Sequence, residues 1–392
     1  MASIRIGEIS RPGPDSSTKK ESISNVKHLS SYNWIEADAS TPTIAVPGSP
    51  ALWTPPSALQ HQVKKDSGFI YIAQNAARHP ESPLEPLFRA LYLTKPTFDI
   101  TSVSLVTDRN NIRKLLSFVN PKLARFGLEP FTIEVEVVNN TAIFCRSETK
   151  THEIIAAHEF IRYGHEFEKA YTTEQVDGST GHHRIISYQL GDMKLVVRYE
   201  TDGCIATSLE KTSAAIKPRA SVNNENIAGM LKSLSLSSAN KPTYAGSYKS
   251  ALKIKEEGRV VPIESTLEIR TRTYKKLIEV DEVLPQMWLS QTPNLSRAYH
   301  RNGSFERPTV ENIAENLIAW EDAHQADIKN LVAVIRRIIS AVKECGAGAV
   351  VKYDAELDKL VVWRGENKER MLPEDIYSKF EVIEQARLLR EV

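Results

Sequence analysis

The chain has 392 residues, 41% of them hydrophobic and 25% charged, a globular composition long enough for one large domain with appendages or two modest ones. Its 50 Lys and Arg against 49 Asp and Glu leave a net charge of +1, so no global field draws it to nucleic acid or membrane, and any basic surface must be local. Three separated cysteines, Cys145, Cys204 and Cys345, exclude a disulfide framework and a Cys-x-x-Cys zinc site, and no apolar run approaches the roughly 20 residues that span a bilayer; a reducing compartment, nucleus or cytosol, is expected.

Residues 1–60 are rich in Ser, Pro and Lys and read as a loop-like docking segment that Tyr32, Trp34 and Trp53 could fasten to the body; residues 61–392 read as a single domain. Ser102–Val106 reads as a strand and Asn110–Phe118 as a helix with Ile112, Leu115 and Leu116 on one face, so Arg109 falls at the turn between them. Phe131–Val138 alternates apolar and acidic residues, and Thr141–Arg146 continues it after Asn139-Asn140, which makes a hairpin. From Thr151 to Tyr171 the apolar positions Ile154, Ala157, Ile161, Gly164 and Phe167 recur at helical spacing, which predicts one amphipathic helix. Arg184–Gln189 and Met193–Glu200 read as strands joined by Leu190-Gly191-Asp192, with His182-His183 before them as a solvated turn, and Pro262–Tyr274 reads as a later strand. Between them, residues 205–260 form a low-complexity stretch with nine Lys and Arg against four acids, expected to be a basic, loosely structured insertion. Thr309–Cys345 is a long helical pattern broken near His324 and ended by Gly346-Ala347-Gly348, and a hairpin of Ala349–Tyr353 and Lys359–Trp363 closes the ordered part. The elements imply an α+β fold, a mixed, largely antiparallel two-sheet core with flanking helices and a central cleft.

Three acidic fragments carry the chemistry. Side chains on a strand alternate, so Glu200 and Asp202 in Glu200-Thr201-Asp202 point the same way, as do Glu268 and Arg270 in Glu268-Ile269-Arg270. Glu168 follows Gly164 by four and Ile161 by seven, which puts it on the stripe facing the sheet, where a carboxylate needs a partner. Singly, a Glu at a helix end is usually solvated, a Glu-x-Asp usually lies on an exposed face, and a Glu-x-Arg is often a cross-strand ion pair. Their joint order, helix Glu, strand Glu-x-Asp, strand Glu-x-basic, resembles nucleases of the PD-(D/E)XK type.

The sequence is similar, over roughly residues 96–365, to the DXO family of RNA 5′-end decapping and pyrophosphohydrolase enzymes. The resemblance rests on Gly164-His165-Glu166-Phe167-Glu168, Glu200-Thr201-Asp202-Gly203-Cys204, Glu268-Ile269-Arg270, Thr107-Asp108-Arg109-Asn110 with Lys114-Leu115-Leu116, and Trp288-Leu289-Ser290-Gln291. It implies that Glu168, Asp202 and Glu268 hold Mg²⁺ or Mn²⁺, that Glu200 reaches the ion through water, and that Arg109, Arg270 and Gln291 grip the phosphates of an RNA 5′ end. It also implies removal of pyrophosphate, a cap or a non-canonical cap, with 5′-to-3′ trimming and docking to a 5′-to-3′ exoribonuclease in the nucleus as associated properties, and no membrane. Arg270 stands where the family carries lysine, and His165 and Asp108 stand where it carries aromatic residues. A member that binds RNA or the exoribonuclease as an adaptor, without cleaving, is the alternative. The near-motif His158-Glu159 is not a zinc helix, because Arg162 occupies the position of the second histidine.

Overall fold

The computed structural model describes residues 4–13, 19–124, 127–156, 162–206, 250–346, 348–365 and 370–388. The strands that carry the fold are, in chain order, β1 (Arg5–Ile9), β2 (Ile23–Ile35), β3 (Thr43–Gly48), β4 (Leu105–Asp108), β5 (Thr132–Val138), β6 (Thr141–Ser147), β7 (Ser179–Leu190), β8 (Met193–Glu200), β9 (Lys253–Gly258), β10 (Thr266–Thr273), β11 (Asn294–Arg301), β12 (Ala349–Asp354) and β13 (Lys359–Arg364). All but β10 and β11 form one eleven-stranded sheet in the order β1-β13-β12-β5-β6-β4-β8-β7-β2-β3-β9. Its pairs are antiparallel except β6 with β4, β4 with β8, and β3 with β9. A second, eight-stranded sheet is built around the parallel pair β10 and β11.

The helices are α1 (Gln74–Arg78), α2 (Glu85–Thr94), α3 (Arg109–Val119), α4 (Gly164–Tyr171), α5 (Leu284–Ser290), α6 (Ala314–Ala323), α7 (Gln325–Cys345) and α8 (Glu374–Leu388). Because both faces of the large sheet are covered, its central strands are apolar on both sides. Leu105, Phe144, Leu195 and Val197 pack under α3, α5, α6 and α7 with Leu115, Trp288, Trp320 and Ile335. Their neighbours Val106, Ile143 and Val196 pack on the opposite face with Leu87, Phe88, Leu91 and Phe380 of α2 and α8. The second sheet has its own core, where Phe167 and Tyr171 of α4 meet Leu267, Ile269 and Phe305. The α+β class and the mixed, mainly antiparallel two-sheet core are therefore as the sequence implies. The helix break falls at His324, whose ring and backbone N–H both turn to Trp320 O, and Gly346 ends α7 with φ +63°. No described helix is long and apolar enough to cross a membrane.

Several expectations are corrected. Residues 1–60 are not loop-like: β1, β2 and β3 belong to the large sheet, and Tyr32 and Trp34 are fully buried. The polar residues of β2 are satisfied by distant partners, Ser30 donating to Ala90 O, Ser31 to Pro47 O and Asn33 to Ser49 O, so its composition conceals a core strand. The single helix over 151–171 is instead a strand, His152–Ile155, pairing with Gly68–Tyr71, followed by the short α4; the β-branched pair Ile154-Ile155 suits extended backbone. Residues 157–161, including His158-Glu159, lie outside the described residues. So do residues 207–249 of the basic stretch, whose flanks are strands: Gly203–Cys204 pairs with β10, and β9 pairs with β3. Val310–Asn312 is a short strand on β11 rather than the start of a helix. His182 and His183 are buried within β7, not on a solvated turn.

Candidate active site

The three acidic fragments do converge, because each ends or flanks an element that meets the seam between the two sheets. Glu200 is the last residue of β8. Asp202 lies two residues on, and its Oδ2 accepts the backbone N–H of Ile269 at 2.8 Å, joining the large sheet to β10. Glu268, only 2% exposed, projects from β10 on the same face as Arg270, whose Nη2 is 2.6 Å from Glu268 Oε1. Glu168 comes from α4, which Phe167 and Tyr171 seat on that sheet. Arg109 opens α3 with Nη1 3.7 Å from Glu268 Oε2 and its guanidinium 5.5 Å from the centre of the Tyr199 ring.

The electrostatics show how close the acids are. Burial and the charges of Asp202 and Glu200 hold Glu168 well above the ordinary carboxylate range, with Arg270 opposing. Burial and Glu268 push Asp202 up to about 8, against Arg270 and the Ile269 N–H. Burial also raises Glu200, Arg109 pulling the other way. Glu200 lines the cleft with its side chain exposed to solvent, which tempers the rise that its surroundings impose. Glu268, Asp202 and Glu168 in turn strengthen the protonation of Arg270.

Among the described residues, no three His, Cys, Asp or Glu stand near enough together to ligate one ion. Glu268 Oε1 is instead held by Arg270 Nη2 at 2.6 Å and by the amide of Gln286 at 2.8 Å. The donor set nonetheless has the chemistry of a hard divalent cation, carboxylate oxygens only, mutually repelling. In this structure Arg270 supplies the positive charge among them. Two guanidinium nitrogens, Arg109 Nη1 and Arg270 Nε, are buried without a hydrogen-bond acceptor, which suits an incoming anion.

Beyond Glu200 the cleft opens into a pocket of roughly 150 Å³ lined by Arg109, Arg113, Arg146, Tyr71, Gln74 and Gln286, among others. Gln291 is not brought there: it caps α5 with φ +54°, and its amide turns back onto Trp288 O at 2.6 Å. Gln286, within α5, contacts Glu268 instead, whereas Gln291 lies past the end of that helix in the left-handed conformation. Arg113 was legible, four residues after Arg109 on one helix face. Arg146, from β6, shares Glu148 with Lys114. Asp108, which replaces an aromatic residue of the resembling family, makes a buried bidentate pair with Arg198 at 2.6 and 2.9 Å, so it offers α3 no side-chain cap. Gly181 lies at a close approach: a Cβ there would be 2.6 Å from Gln74 Oε1 and 3.2 Å from Glu200 Oε1. Gln74 Oε1 in turn meets His183 Nε2 at 3.0 Å, and burial with Arg198 and Arg109 keeps that histidine neutral.

Residues 3–381 match the family described as "Domain of unknown function (DUF8563)", and the chain belongs to that family. No curated protein matches the sequence. Among solved structures, Scheffersomyces stipitis Rai1 in complex with (3′-NADP)+ and calcium ion is similar at 10% identity and TM-score 0.55, over 95% of this chain and 100% of that one. Candida albicans Rai1 in complex with pU5-Mn2+ is similar at 12% identity and TM-score 0.54, over 97% and 99% of the two chains. S. pombe Rai1 is similar at 12% identity and TM-score 0.52, over 92% and 99%. The resemblance read from the sequence therefore holds as a shared fold.

Proposed function

We propose that this DUF8563 protein hydrolyses phosphate linkages at RNA 5′ ends, with the floor of the cleft as its active site. The observation that carries the reading is the convergence of Glu168, Glu200, Asp202 and Glu268 beside Arg109 Nη1 and Arg270 Nε, two buried donors without a hydrogen-bond acceptor. The shared fold supports it, because the Rai1 structures of that fold hold a 5′-phosphorylated RNA with Mn2+ and a dinucleotide with calcium.

Glu168, Asp202 and Glu268 would hold Mg²⁺ or Mn²⁺, with Glu200 contributing through water. When bound, such an ion acidifies water and absorbs charge on phosphoryl oxygens. The chain's own residues do the rest. Gln286 orients the Glu268 carboxylate. Arg270 stays protonated, so it clamps non-bridging phosphate oxygens and stabilises charge rather than acting as a base. Arg109 presents to the next phosphate its Nη1, which has a carboxylate oxygen of Glu268 at 3.7 Å but no hydrogen-bond acceptor. Glu200, reached by solvent, orients a water molecule. The product leaving is pyrophosphate, a cap or a non-canonical cap, and 5′-to-3′ trimming, a nuclear location and an exoribonuclease partner belong to the same reading.

One observation favours a second reading. The contact of Arg270 and Gln286 with a single oxygen of Glu268 occupies that carboxylate, as in a protein that binds RNA ends without cleaving them. A single assay separates the two. The protein is incubated with 5′-triphosphate, unmethylated-capped and NAD-capped RNA with Mg²⁺ or Mn²⁺, alongside Glu268→Ala and Arg270→Lys. Release by wild type, lost in Glu268→Ala, is expected. Release by Arg270→Lys alone makes the wild type a binding protein, and activity surviving Glu268→Ala removes the site.

A further inference from the structure

The strands Gly68–Tyr71 and His152–Ile155 form an isolated antiparallel ribbon. Opposed residues share a face, so the pairs Tyr71 with His152 and Phe69 with Ile154 place Tyr71, Phe69, His152 and Ile154 on one side. That side is the open one: Phe69 is 51% exposed and Ile154 72%. Its rings are already ordered, Phe69 lying parallel to His152 at 4.7 Å and edge-on to Tyr71 at 4.8 Å. An ordered aromatic and aliphatic face turned to water in this way calls for an occupant.

Charge identifies it. Tyr71 lines the same pocket as Arg109, Arg113 and Arg146. Arg113 has no ion-pair partner among the described residues, and it is surrounded by like charge from Arg109, Arg270 and Arg146. Arg146 and Lys114 share one carboxylate, Glu148. The pocket thus presents guanidiniums in excess of acids beside Tyr71, whose ring carries Arg78 at 5.0 Å and whose neighbour Phe69 is the exposed ring.

We infer that the ribbon and these arginines form a nucleotide-holding surface, in which Phe69 stacks a base and Arg113 and Arg146 hold the adjoining phosphate. Stacking platforms combined with cationic grooves are how single-stranded nucleic acid is held without reading its sequence. The inference rests on reading the cleft as an RNA 5′-end site and adds which surface of it grips a nucleotide. Two sources offer that chemistry: the RNA chain beyond the 5′ phosphate, or the nucleotide released with a dinucleotide cap.

The test is equilibrium binding by the full chain in EDTA, with 5′-phosphorylated pentauridylate and NAD+ as separate probes. Wild type is expected to bind at least one of them. Phe69→Ala should weaken that probe about ten-fold, Phe69→Trp should restore it, and the double change Arg113→Ala, Arg146→Ala should weaken it as well. Phe69 is exposed, so its removal leaves the fold intact. Loss confined to pentauridylate assigns the RNA chain to the ribbon; loss confined to NAD+ assigns the released nucleotide. Wild-type binding by both sets of variants, or binding of neither probe by wild type, overturns the inference. Binding that behaves as expected in a protein that never hydrolyses RNA sinks the proposed function instead and leaves this surface standing.

Discussion

The side-chain amide of Gln286 lies 2.8 Å from Glu268 Oε1, the oxygen that Arg270 also contacts at 2.6 Å. Glu268 is thus oriented from two sides, one of them a helix that the second sheet does not contain. Partners that orient a site carboxylate typically cost 10- to 100-fold in activity or metal affinity when removed. Gln286→Ala should therefore lower hydrolysis at RNA 5′ ends by about that factor, whereas Gln291→Ala, which loses only a bond to its own helix, should cost far less. The ratio of the two initial rates decides between Gln286 and the sequence-motif position.

Asp108 and Arg198 lie opposite each other in the parallel register of β4 and β8, and the Arg198 side chain is only 1% exposed. Removing one partner of such a pair leaves a buried charge and costs about 3–5 kcal/mol. Asp108→Ala should lose that much in urea unfolding. A loss under about 1 kcal/mol would mean that Tyr32 and Pro83 O, which also receive Arg198, satisfy it without Asp108.

Burial and mutual repulsion raise Glu168, Glu200 and Asp202, the last to about 8. A carboxyl whose folded pKa exceeds its unfolded value binds its proton more tightly when folded. The stability it contributes is complete below the unfolded value near 4 and is lost as pH rises through about 8. In EDTA, wild-type stability should therefore fall between about pH 5 and about pH 8.5, and Asp202→Asn should flatten the profile. Saturating Mn²⁺ should reverse the trend, because ligation requires the ionised form. Superimposable profiles for wild type and Asp202→Asn would show that the acids do not share a site.

Gly181→Ala places a methyl against Gln74 and Glu200. The far end of Gln74 can swing aside, so the fold should lose only about 1–3 kcal/mol. Hydrolysis should suffer more, because Gln74 also holds His183 and the displacement reaches Glu200. Equal, small losses in melting and in kcat would contradict this.

What the sequence revealed depended on how local each signal was. Helix α3, the β5–β6 hairpin with Asn139 at φ +53°, the break at His324 and the pairing of α7 with a closing hairpin all announce themselves in stretches of ten or twenty residues. Strand β2 does not, because Ser30, Ser31 and Asn33 look like loop residues until Ala90, Pro47 and Ser49 are placed beside them. The ribbon strand at His152 was read as helix because Ile154 falls on the three-and-four spacing of the residues after it, and nothing local shows the partner strand at Gly68–Tyr71. At the site, Glu200, Asp202 and Glu268 are legible as alternation along strands, Glu168 as a position on a helix stripe, and Arg109 as the turn before a helix, of which the structure makes it the first residue. Gln286, Arg146 and Tyr71 were not, since each enters from an element whose place in the cleft is a tertiary fact.

The register in which Gly203 sits opposite Leu267 makes Asp202 and Glu268 spatial neighbours, whatever chain intervenes. Cys204 is held in a ladder on Thr266 and Lys253 in another on Thr43. Distance along the chain is thereby uncoupled from distance in the site. The two carboxylates at the floor of the cleft are therefore set side by side by strand pairing, and a single slip of that register, not a change in the length of chain joining them, is what would separate them.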